Sequence, residues 1–512
     1  MAKIKNWGDI IIIIGIFIEL CIWPSIPNVV GCMMTGICWV VFSRIGLDET
    51  VIKEHIFAWL VFLSMSLYRI LPLFATLLEF HSIGYNFVVP VDTYCGETIL
   101  YLFSALAFYL AINRKTNSLI WLKKTLFRCG FYTQVNNKMI WILGVAGLFI
   151  RIYVLGSNIE FGDIIGKTLS GFTFLQYAPI ILFFPSLYNK YDSCKMIIYN
   201  RSALLYFSIL IILSFATNSR YAILEPLGTF VLLFLLSYIN YPKSIRQNIS
   251  KKYFVWAGIS IIIIVPFISD VSLAMLATRG IRSKVDKIEL FKETINTYLD
   301  RDKMEYLRHI KDLKDRKAND SDPTNLHNWS ETYVSNFALN RYCNLKVTDN
   351  TLYHAEKIGL PNKKMYADFW IEIVSLCPTP ILNFIGFDYD KNKRYSRGDK
   401  LKALSTNTAP FGSYLITSHL ADGLVTFGYI YFPIEFLLFF IRFLFLDTFL
   451  FKYDGRTFYS AFGLITIFSF LAMFRNAGGC CDSLSYLLRE YWQNVILFTI
   501  SLYILRNVAT RP

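Results

Sequence analysis

The sequence predicts an all-α membrane protein with about twelve transmembrane helices and one large, mostly helical polar loop. Hydrophobic residues make up 54% of the 512 residues, and mean hydropathy is +0.43. Nine long apolar runs precede Asp270–Pro410 and three follow it. This composition and spacing are typical of an integral membrane protein. We therefore divide the chain into membrane helices over 1–269, a loop domain over 270–410 and membrane helices over 411–512.

Each apolar run is long enough, or nearly so, to cross a bilayer as a helix, which takes about 20 residues. In chain order the runs are Trp7–Trp23, Asn28–Phe42, Ile56–Phe80, Thr98–Ile112, Met139–Leu155, Phe172–Leu187, Ala203–Thr217, Tyr221–Ile239, Phe254–Ile268, Leu424–Leu446, Phe458–Phe474 and Leu484–Leu505. The first run resembles a signal peptide but has no small-residue cleavage site before Pro24. We interpret it as a retained helix.

Basic residues in the short loops predict the orientation, because they concentrate on the cytoplasmic side. The loops Asn113–Lys138 and Tyr241–Lys252 contain several lysines and arginines and no acidic residue. Counting spans from either loop gives the same answer. Both termini face the cytoplasm, and Asp270–Pro410 lies on the outer face of the cytoplasmic membrane.

The outer loop has its own helical signals. Val285–Lys317 has apolar residues at helical spacing among dense charges, which predicts an amphipathic helix or hairpin. Trp370–Ile385 is apolar but interrupted by Pro378 and Pro380, so it fits a re-entrant or interfacial segment better than a span. We expect the loop to be the functional domain and to lie on the outer ends of the membrane helices.

Charge and cysteine content exclude several other classes. The net charge of +14 lies largely in short loops, so it indicates topology and not nucleic-acid binding. The ten cysteines form no CxxC or Cys/His cluster at metal spacing, so we expect no metal and no cofactor. The adjacent Cys480 and Cys481 could pair with Cys95 or another outward cysteine, but we favour ordinary packing.

Six arginines lie at the outer ends of spans, in outer turns or inside a span, where basic residues are disfavoured. They are Arg69, Arg151, Arg220, Arg279, Arg282 and Arg475. Arg69 is near the middle of the third span, and Glu19 or Glu225 could pair with it. Guanidinium groups suit phosphate oxygens, so a ring of them at the outer boundary could hold a diphosphate. The alternative is that each one contacts lipid headgroups or pairs locally.

A second group of candidates opens the tenth span. Thr417 is followed by His419 and Asp422, which lie on one face if the helix begins early. An imidazole or carboxylate where the outer domain meets the membrane could act as a general base for a sugar hydroxyl. The alternative is a helix N-terminal cap with an interfacial histidine.

The whole layout carries a family resemblance. It combines a dozen spans, a dominant outer loop late in the chain, the turn TNSRYAILEPL opening the eighth span and HLADGLVTFGYIYFP opening the tenth. This layout resembles the bacterial oligosaccharide repeat unit polymerases of the Wzy type and, more distantly, the O-antigen ligases. The resemblance implies a GT-C-type membrane glycosyltransferase that makes surface polysaccharide, such as capsule or the O-antigen of lipopolysaccharide.

The resemblance also implies roles and partners. Arg220, Arg279, Arg282 and Arg475 would clamp the donor diphosphate, with Arg69 and Arg151 in support, and His419 or Asp422 would activate the acceptor hydroxyl. The donor and acceptor would be oligosaccharides linked to polyprenyl diphosphate within membrane lipid. A chain-length regulator and a flippase are the implied protein partners.

Two other functions stay open. A ligase that moves finished glycan to a lipid acceptor is the nearest alternative, and the sequence hardly separates it from a polymerase. A flippase for lipid-linked glycan belongs to a different class. Flippases and secondary transporters commonly show repeated halves and ionisable groups along a central path. The nine-plus-three division of spans and the large outer domain argue against that class.

Overall fold

The computed structural model of the chain describes residues 2–113, 119–156, 164–188, 200–216, 220–242, 270–278, 287–320, 324–387, 391, 395–410, 412–453 and 456–509. These residues are overwhelmingly helical, which confirms the predicted helical class. The described residues also form one two-stranded antiparallel sheet. Its strands are Leu450–Tyr453 and Arg456–Tyr459, with Leu450 paired to Tyr459.

The helices follow the apolar runs and the loop signals along the chain. The first group is Ala2–Ile22, Ile26–Ile45, Glu49–Glu54, Ile56–Leu78, Pro90–Ile112, Ile120–Arg128, Asn137–Gly156, Ile164–Ser170, Pro185–Tyr188, Arg201–Ala216 and Arg220–Asn240. The second group is Lys287–Leu299, Arg301–Asp320, Phe337–Cys343, Lys346–Ile358, Lys363–Val374, Thr379–Phe384, Arg397–Thr406, His419–Phe427, Tyr431–Leu446, Ala461–Ile465, Ile467–Ala472, Cys481–Ser485 and Tyr491–Ala509. A 3₁₀ helix covers Thr173–Phe183, and shorter 3₁₀ turns cover Gly428–Ile430 and Asp447–Phe449. A π-helical turn covers Tyr486–Glu490.

The chain forms two compact units. Unit 1 contains Met1–Ser118, Asp315–Leu446 and Leu471–Tyr491, and unit 2 contains Leu119–Lys314, Asp447–Phe470 and Trp492–Pro512. Unit 1 therefore groups the first membrane runs with most of the predicted outer loop. The predicted division at residues 270 and 410 separates membrane helices from a loop outside the membrane, and it stays a prediction.

Unit 1 is a helical bundle with the loop helices packed on it. Pro90–Ile112 packs against Tyr431–Leu446 and Ile26–Ile45, and Lys346–Ile358 packs against His419–Phe427. A buried apolar cluster around Leu352, Leu420 and Tyr431 joins Lys346–Ile358, His419–Phe427 and Tyr431–Leu446 to Pro90–Ile112. The helices of the predicted outer loop and the tenth run therefore share one core.

Unit 2 is organised around the 3₁₀ helix Thr173–Phe183, which packs on Asn137–Gly156. Gly147 makes this close approach possible, because a Cβ there would lie 2.2 Å from the backbone nitrogen of Gln176. The predicted sixth run is thus a 3₁₀ segment followed by the short helix Pro185–Tyr188. Pro179 lies inside the 3₁₀ segment and Pro185 opens the short helix, and neither has a backbone N–H to donate to an α-helical hydrogen bond.

Six helices of the described residues are long and apolar enough to cross a membrane. They are Ile26–Ile45, Ile56–Leu78, Pro90–Ile112, Asn137–Leu155, Tyr221–Asn240 and His419–Phe449. Several of their apolar side chains stay exposed, such as Phe149 and Leu437. Exposed apolar side chains along a long helix are typical of a surface that contacts lipid. The sequence prediction of a multi-pass membrane protein is therefore supported, while the number twelve stays a prediction and the ninth run, Phe254–Ile268, lies outside the described residues.

The helix or hairpin predicted within the proposed outer loop is confirmed as helical. Val285–Lys317 corresponds to the consecutive helices Lys287–Leu299 and Arg301–Asp320. Trp370–Ile385 covers the end of the helix Lys363–Val374 and the helix Thr379–Phe384; Pro378 lies between the two helices and Pro380 lies in the first turn of the second. Its re-entrant or interfacial position stays a prediction.

Candidate functional site

The predicted histidine and aspartate open a helix in unit 1. The helix His419–Phe427 begins after Ser418, whose hydroxyl accepts a hydrogen bond from the backbone N–H of Ala421 at 3.1 Å. Ser418 also bonds with the hydroxyl of Thr351 at 3.0 Å, on the loop helix Lys346–Ile358. His419 and Asp422 thus share the first turn, as the sequence predicted, and the cap is the neighbouring serine.

Asp422 is held by partners at both carboxylate oxygens. Oδ1 accepts from Nε of Arg397 at 2.6 Å, and Oδ2 accepts from the backbone N–H of Cys480 at 2.9 Å. Both side chains are buried, and Arg397 also donates to Thr426 at 2.6 Å. Burial lowers the pKa of Arg397, but the charge and hydrogen bond of Asp422 together with the neighbouring Cys480 and Cys481 outweigh it, so that pKa is raised. This geometry favours a structural role for Asp422 over the predicted catalytic one.

His419 is buried, with 1% of its surface exposed. Its ring stacks on Phe474 with 5.0 Å between ring centroids. Nε2 lies 3.7 Å from Oδ2 of Asp482, and Nδ1 has no hydrogen-bond partner among the described residues. The imidazole therefore points toward a carboxylate that the sequence analysis did not single out.

The loop over residues 473–480 carries these contacts. The carbonyl of Phe474 accepts from the Ser64 hydroxyl at 3.0 Å, and the carbonyl of Asn476 accepts from the His419 backbone N–H at 3.2 Å. Arg475 is exposed between these two anchored residues. The loop is thus fixed on both sides of its one cationic side chain.

A buried polar chain connects this loop to the membrane helices. Arg69 pairs with Glu97 at 2.5 Å, and both side chains are almost fully buried. Thr348 donates to the other oxygen of Glu97 at 2.8 Å and accepts from the amide of Asn476 at 2.7 Å. A buried arginine in a membrane helix requires such a partner. The suggested pairing of Arg69 with Glu19 or Glu225 is wrong, since Glu97 is its partner.

Thr348→Val tests this chain. The change removes one donor to Glu97 and one acceptor for Asn476, so we expect the free energy of unfolding to fall by about 1–3 kcal/mol. Thermal unfolding of the purified protein in detergent measures it. Thr98→Val is the matched control, because the Thr98 hydroxyl bonds only within its own helix, to the Tyr94 carbonyl. Equal losses in both variants would show that the chain adds no stability beyond local bonds.

The structure places three of the six predicted arginine side chains. Arg69 and Arg475 lie in unit 1, where Arg69 is paired and buried and Arg475 is exposed. Desolvation raises the pKa of Tyr342, while Arg341 and Arg475 lower it, so both guanidinium groups lie close to this tyrosine.

Arg151 lies in unit 2, where it interacts electrostatically with Glu225. The Glu225 carboxylate accepts from the Tyr177 hydroxyl at 2.8 Å. Arg220 is the first residue of the helix Arg220–Asn240, and its side chain lies outside the described residues, as do Arg279 and Arg282. The ring of arginines therefore stays a prediction.

Five charged groups of this region were not among the sequence-predicted site residues: Glu97, Arg397, Glu435, Arg442 and Asp482. Glu435 and Arg442 were detectable, because an ionisable residue in an apolar run is usually functional or paired, and Glu97 directly precedes such a run. Ser483 donates to Glu435 at 2.7 Å, and Arg442 donates to Ser483 at 3.4 Å. Asp482 was overlooked because it is the one acid in a short polar turn after a glycine pair.

Comparison with known proteins adds no identification. No protein-family model, no curated protein and no solved structure matches this chain. The chemistry of the site therefore indicates the function. An exposed arginine on the loop 473–480, an exposed carboxylate on the helix Cys481–Ser485 that follows it and a buried imidazole at the start of the helix His419–Phe427 lie in the same unit. Such a set can bind an anion and accept a proton beside it.

Proposed function

We propose that the protein is a membrane glycosyltransferase that polymerises polyprenyl-diphosphate-linked oligosaccharide repeat units into surface polysaccharide. One observation carries the proposal. Asp482 lies 3.7 Å from His419, and Arg475 lies on the loop that precedes Asp482, in a unit built on apolar helices. Arg475 acts electrostatically on Asp482, so anion binding and proton acceptance are adjacent. Transfer from a glycosyl diphosphate donor to a hydroxyl needs both properties at one site, because the diphosphate must be bound and the hydroxyl must lose its proton.

The reaction requires little more from the protein. A diphosphate is a good leaving group, so the enzyme has to stabilise the charge that develops on it and to remove a proton from the acceptor hydroxyl. Arg475 supplies positive charge at this site, and the donor-binding role of Arg220, Arg279 and Arg282 stays a prediction from the sequence. A single displacement inverts the anomeric centre. A product that retains the donor's anomeric configuration would contradict this step.

The proposal includes a placement in the membrane. Twelve spans in a GT-C-like arrangement put both termini in the cytoplasm and residues 270–410 on the outer face of the cytoplasmic membrane. The basic loops over 113–138 and 241–252 and the six apolar helices support this placement. The lipid-linked donor and acceptor then reach the site from the outer leaflet. A flippase delivers them there, and a chain-length regulator is a further proposed partner.

Arg475→Ala is expected to shorten the polysaccharide. Without its guanidinium the donor diphosphate loses a charge-assisted contact, and we expect chain extension to fall about 10²-fold or more, as for removal of one charge-stabilising donor. The measurement is the length distribution of surface glycan in cells lacking the protein and given back wild type or variant. Arg44→Ala is the matched control, since Arg44 is exposed at the end of Ile26–Ile45, on the predicted cytoplasmic side.

The same cells separate the alternatives. The proposal requires that cells without the protein accumulate single repeat units on the outer face and that wild type restores long chains. Long chains that persist on their carrier would make the protein a ligase. Single units trapped on the inner face would make it a flippase. Equal glycan lengths with Arg475→Ala and Arg44→Ala would remove Arg475 from the donor site.

A further inference from the structure

Exposure distinguishes the two side chains that meet at the site. His419 has 2% of its side chain exposed, while Asp482 has 55% exposed. The His419 ring lies behind Asp482, with Nε2 at 3.7 Å from Oδ2. A sugar hydroxyl arriving from solvent can therefore reach the Asp482 carboxylate, whereas the imidazole is covered.

We propose that Asp482 is the general base that takes the proton from the acceptor hydroxyl, and that His419 is a positioning residue behind it. This inference rests on the proposed glycosyl transfer and names the residue that touches the acceptor. The 3.7 Å separation exceeds a hydrogen bond. Catalytic hydrogen bonds commonly tighten only when substrate is bound.

The backbone holds the carboxylate in place. Oδ2 of Asp482 accepts from the backbone N–H of Gly479 at 3.2 Å. A Cβ on Gly478 would lie 2.6 Å from Oδ2 of Asp482 and 2.8 Å from Nε2 of His419. Glycine at position 478 is therefore what lets the carboxylate and the imidazole approach each other.

The groups around Asp482 support its role as a base. Although the outer part of the side chain is exposed, the protein packed around Asp482 desolvates it and raises its pKa, and the charge of Asp422 raises it further; the Gly479 N–H and two arginines lower it, but the pKa stays above its ordinary value. A base with a pKa nearer the working pH is more effective. The charged groups that act on Asp482 include Arg442, Arg475, Asp422, Glu435 and Glu490, while His419 faces it as a buried imidazole.

The proposed step accounts for every bond, electron pair and proton. The acceptor oxygen forms a bond to the anomeric carbon of the donor while the bond from that carbon to the diphosphate oxygen breaks. The diphosphate leaves with the electron pair, beside Arg475. The hydroxyl proton moves to the Asp482 carboxylate. Because that carboxylate is exposed, it then releases the proton to water and is ready for the next transfer.

Asp482→Asn is the first test, using the full-length protein in nanodiscs with a synthetic lipid-linked repeat unit. Asparagine keeps the shape and the acceptor for Gly479 but is not basic. We expect kcat for chain extension to fall about 10²-fold to 10⁴-fold, with KM for the repeat unit nearly unchanged. Asp368→Asn is the matched control, a half-buried aspartate whose partner is Lys400 at 2.8 Å.

The pH profile and a second variant separate a base from a structural residue. Wild-type kcat is expected to fall on the acid side, with an apparent pKa above that of an ordinary aspartate, and Asp482→Asn should lose this limb. Gly478→Ala keeps both side chains but forces them apart, and it should lower kcat at least 10-fold. Gly36→Ala is its control, because a Cβ there meets only Ile16, at 3.7 Å.

The outcomes distinguish the two proposals. If wild type extends no chains from the lipid-linked repeat unit, the proposed function fails. If wild type extends chains and Asp482→Asn matches it in kcat and pH profile, Asp482 is not the base and the proposed function stands. If Asp482→Asn lowers kcat but its residual rate still falls on the acid side as in wild type, another group is the base. A fall in kcat together with loss of the limb supports the assignment.

Discussion

Asp422→Ala is expected to destabilise unit 1 by about 3–5 kcal/mol, the usual cost of removing one partner of a buried ion pair. Arg397 would then stay buried without the carboxylate that lies 2.6 Å from its Nε. The backbone N–H of Cys480 would also lose its acceptor. The measurement is unfolding of the purified protein in detergent, together with its abundance in membranes.

Asp368→Ala is the control for this change, since the Asp368–Lys400 pair is partly exposed and such pairs contribute about 0–1 kcal/mol. The double variant Arg397→Met with Asp422→Ala should recover part of the loss, because no uncompensated charge remains. A stable but inactive Asp422→Ala protein would contradict the structural assignment. It would instead support the catalytic role that the sequence suggested.

The helix positions were predictable because lipid imposes a simple rule on sequence. A spanning segment must satisfy its backbone internally and be apolar along its length. Ile56–Leu78 and Asn137–Gly156 accordingly match their predicted runs within a few residues. The same rule does not distinguish an α-helix from a 3₁₀ helix. The segment Thr173–Phe183 therefore differs from expectation, since its conformation depends on proline and on the close approach to Gly147.

The site was only partly predictable because its partners are distant in sequence. His419 and Asp422 stood out as polar residues opening an apolar run. The groups that decide their roles come from elsewhere: Arg397 lies 25 residues from Asp422, and Thr348 lies 128 residues from its partner Asn476. Local spacing reports contacts within one helix and not which loop packs over it. Asp482 could be recognised only once the loop over 473–480 was seen against His419.

His419→Phe is expected to lower chain extension about 10²-fold without unfolding the protein. Phenylalanine keeps an aromatic ring stacked on Phe474 and removes both ring nitrogens. Because His419 is covered, it should make no contact with substrate. The loss should therefore appear in kcat, while KM for the lipid-linked repeat unit stays nearly constant. Steady-state kinetics in nanodiscs, with product chains resolved by length, provide the measurement.

His354→Phe is the matched control, because it changes another buried histidine of unit 1. The His354 ring is buried like that of His419, and its Nδ1 bonds with the hydroxyl of Ser405 at 2.6 Å. If a buried histidine matters here only for packing, the two variants should lose stability and activity alike. If His419 positions the Asp482 carboxylate, only His419→Phe should lower kcat in protein that remains folded. Similar kcat values for both variants would remove His419 from the reaction.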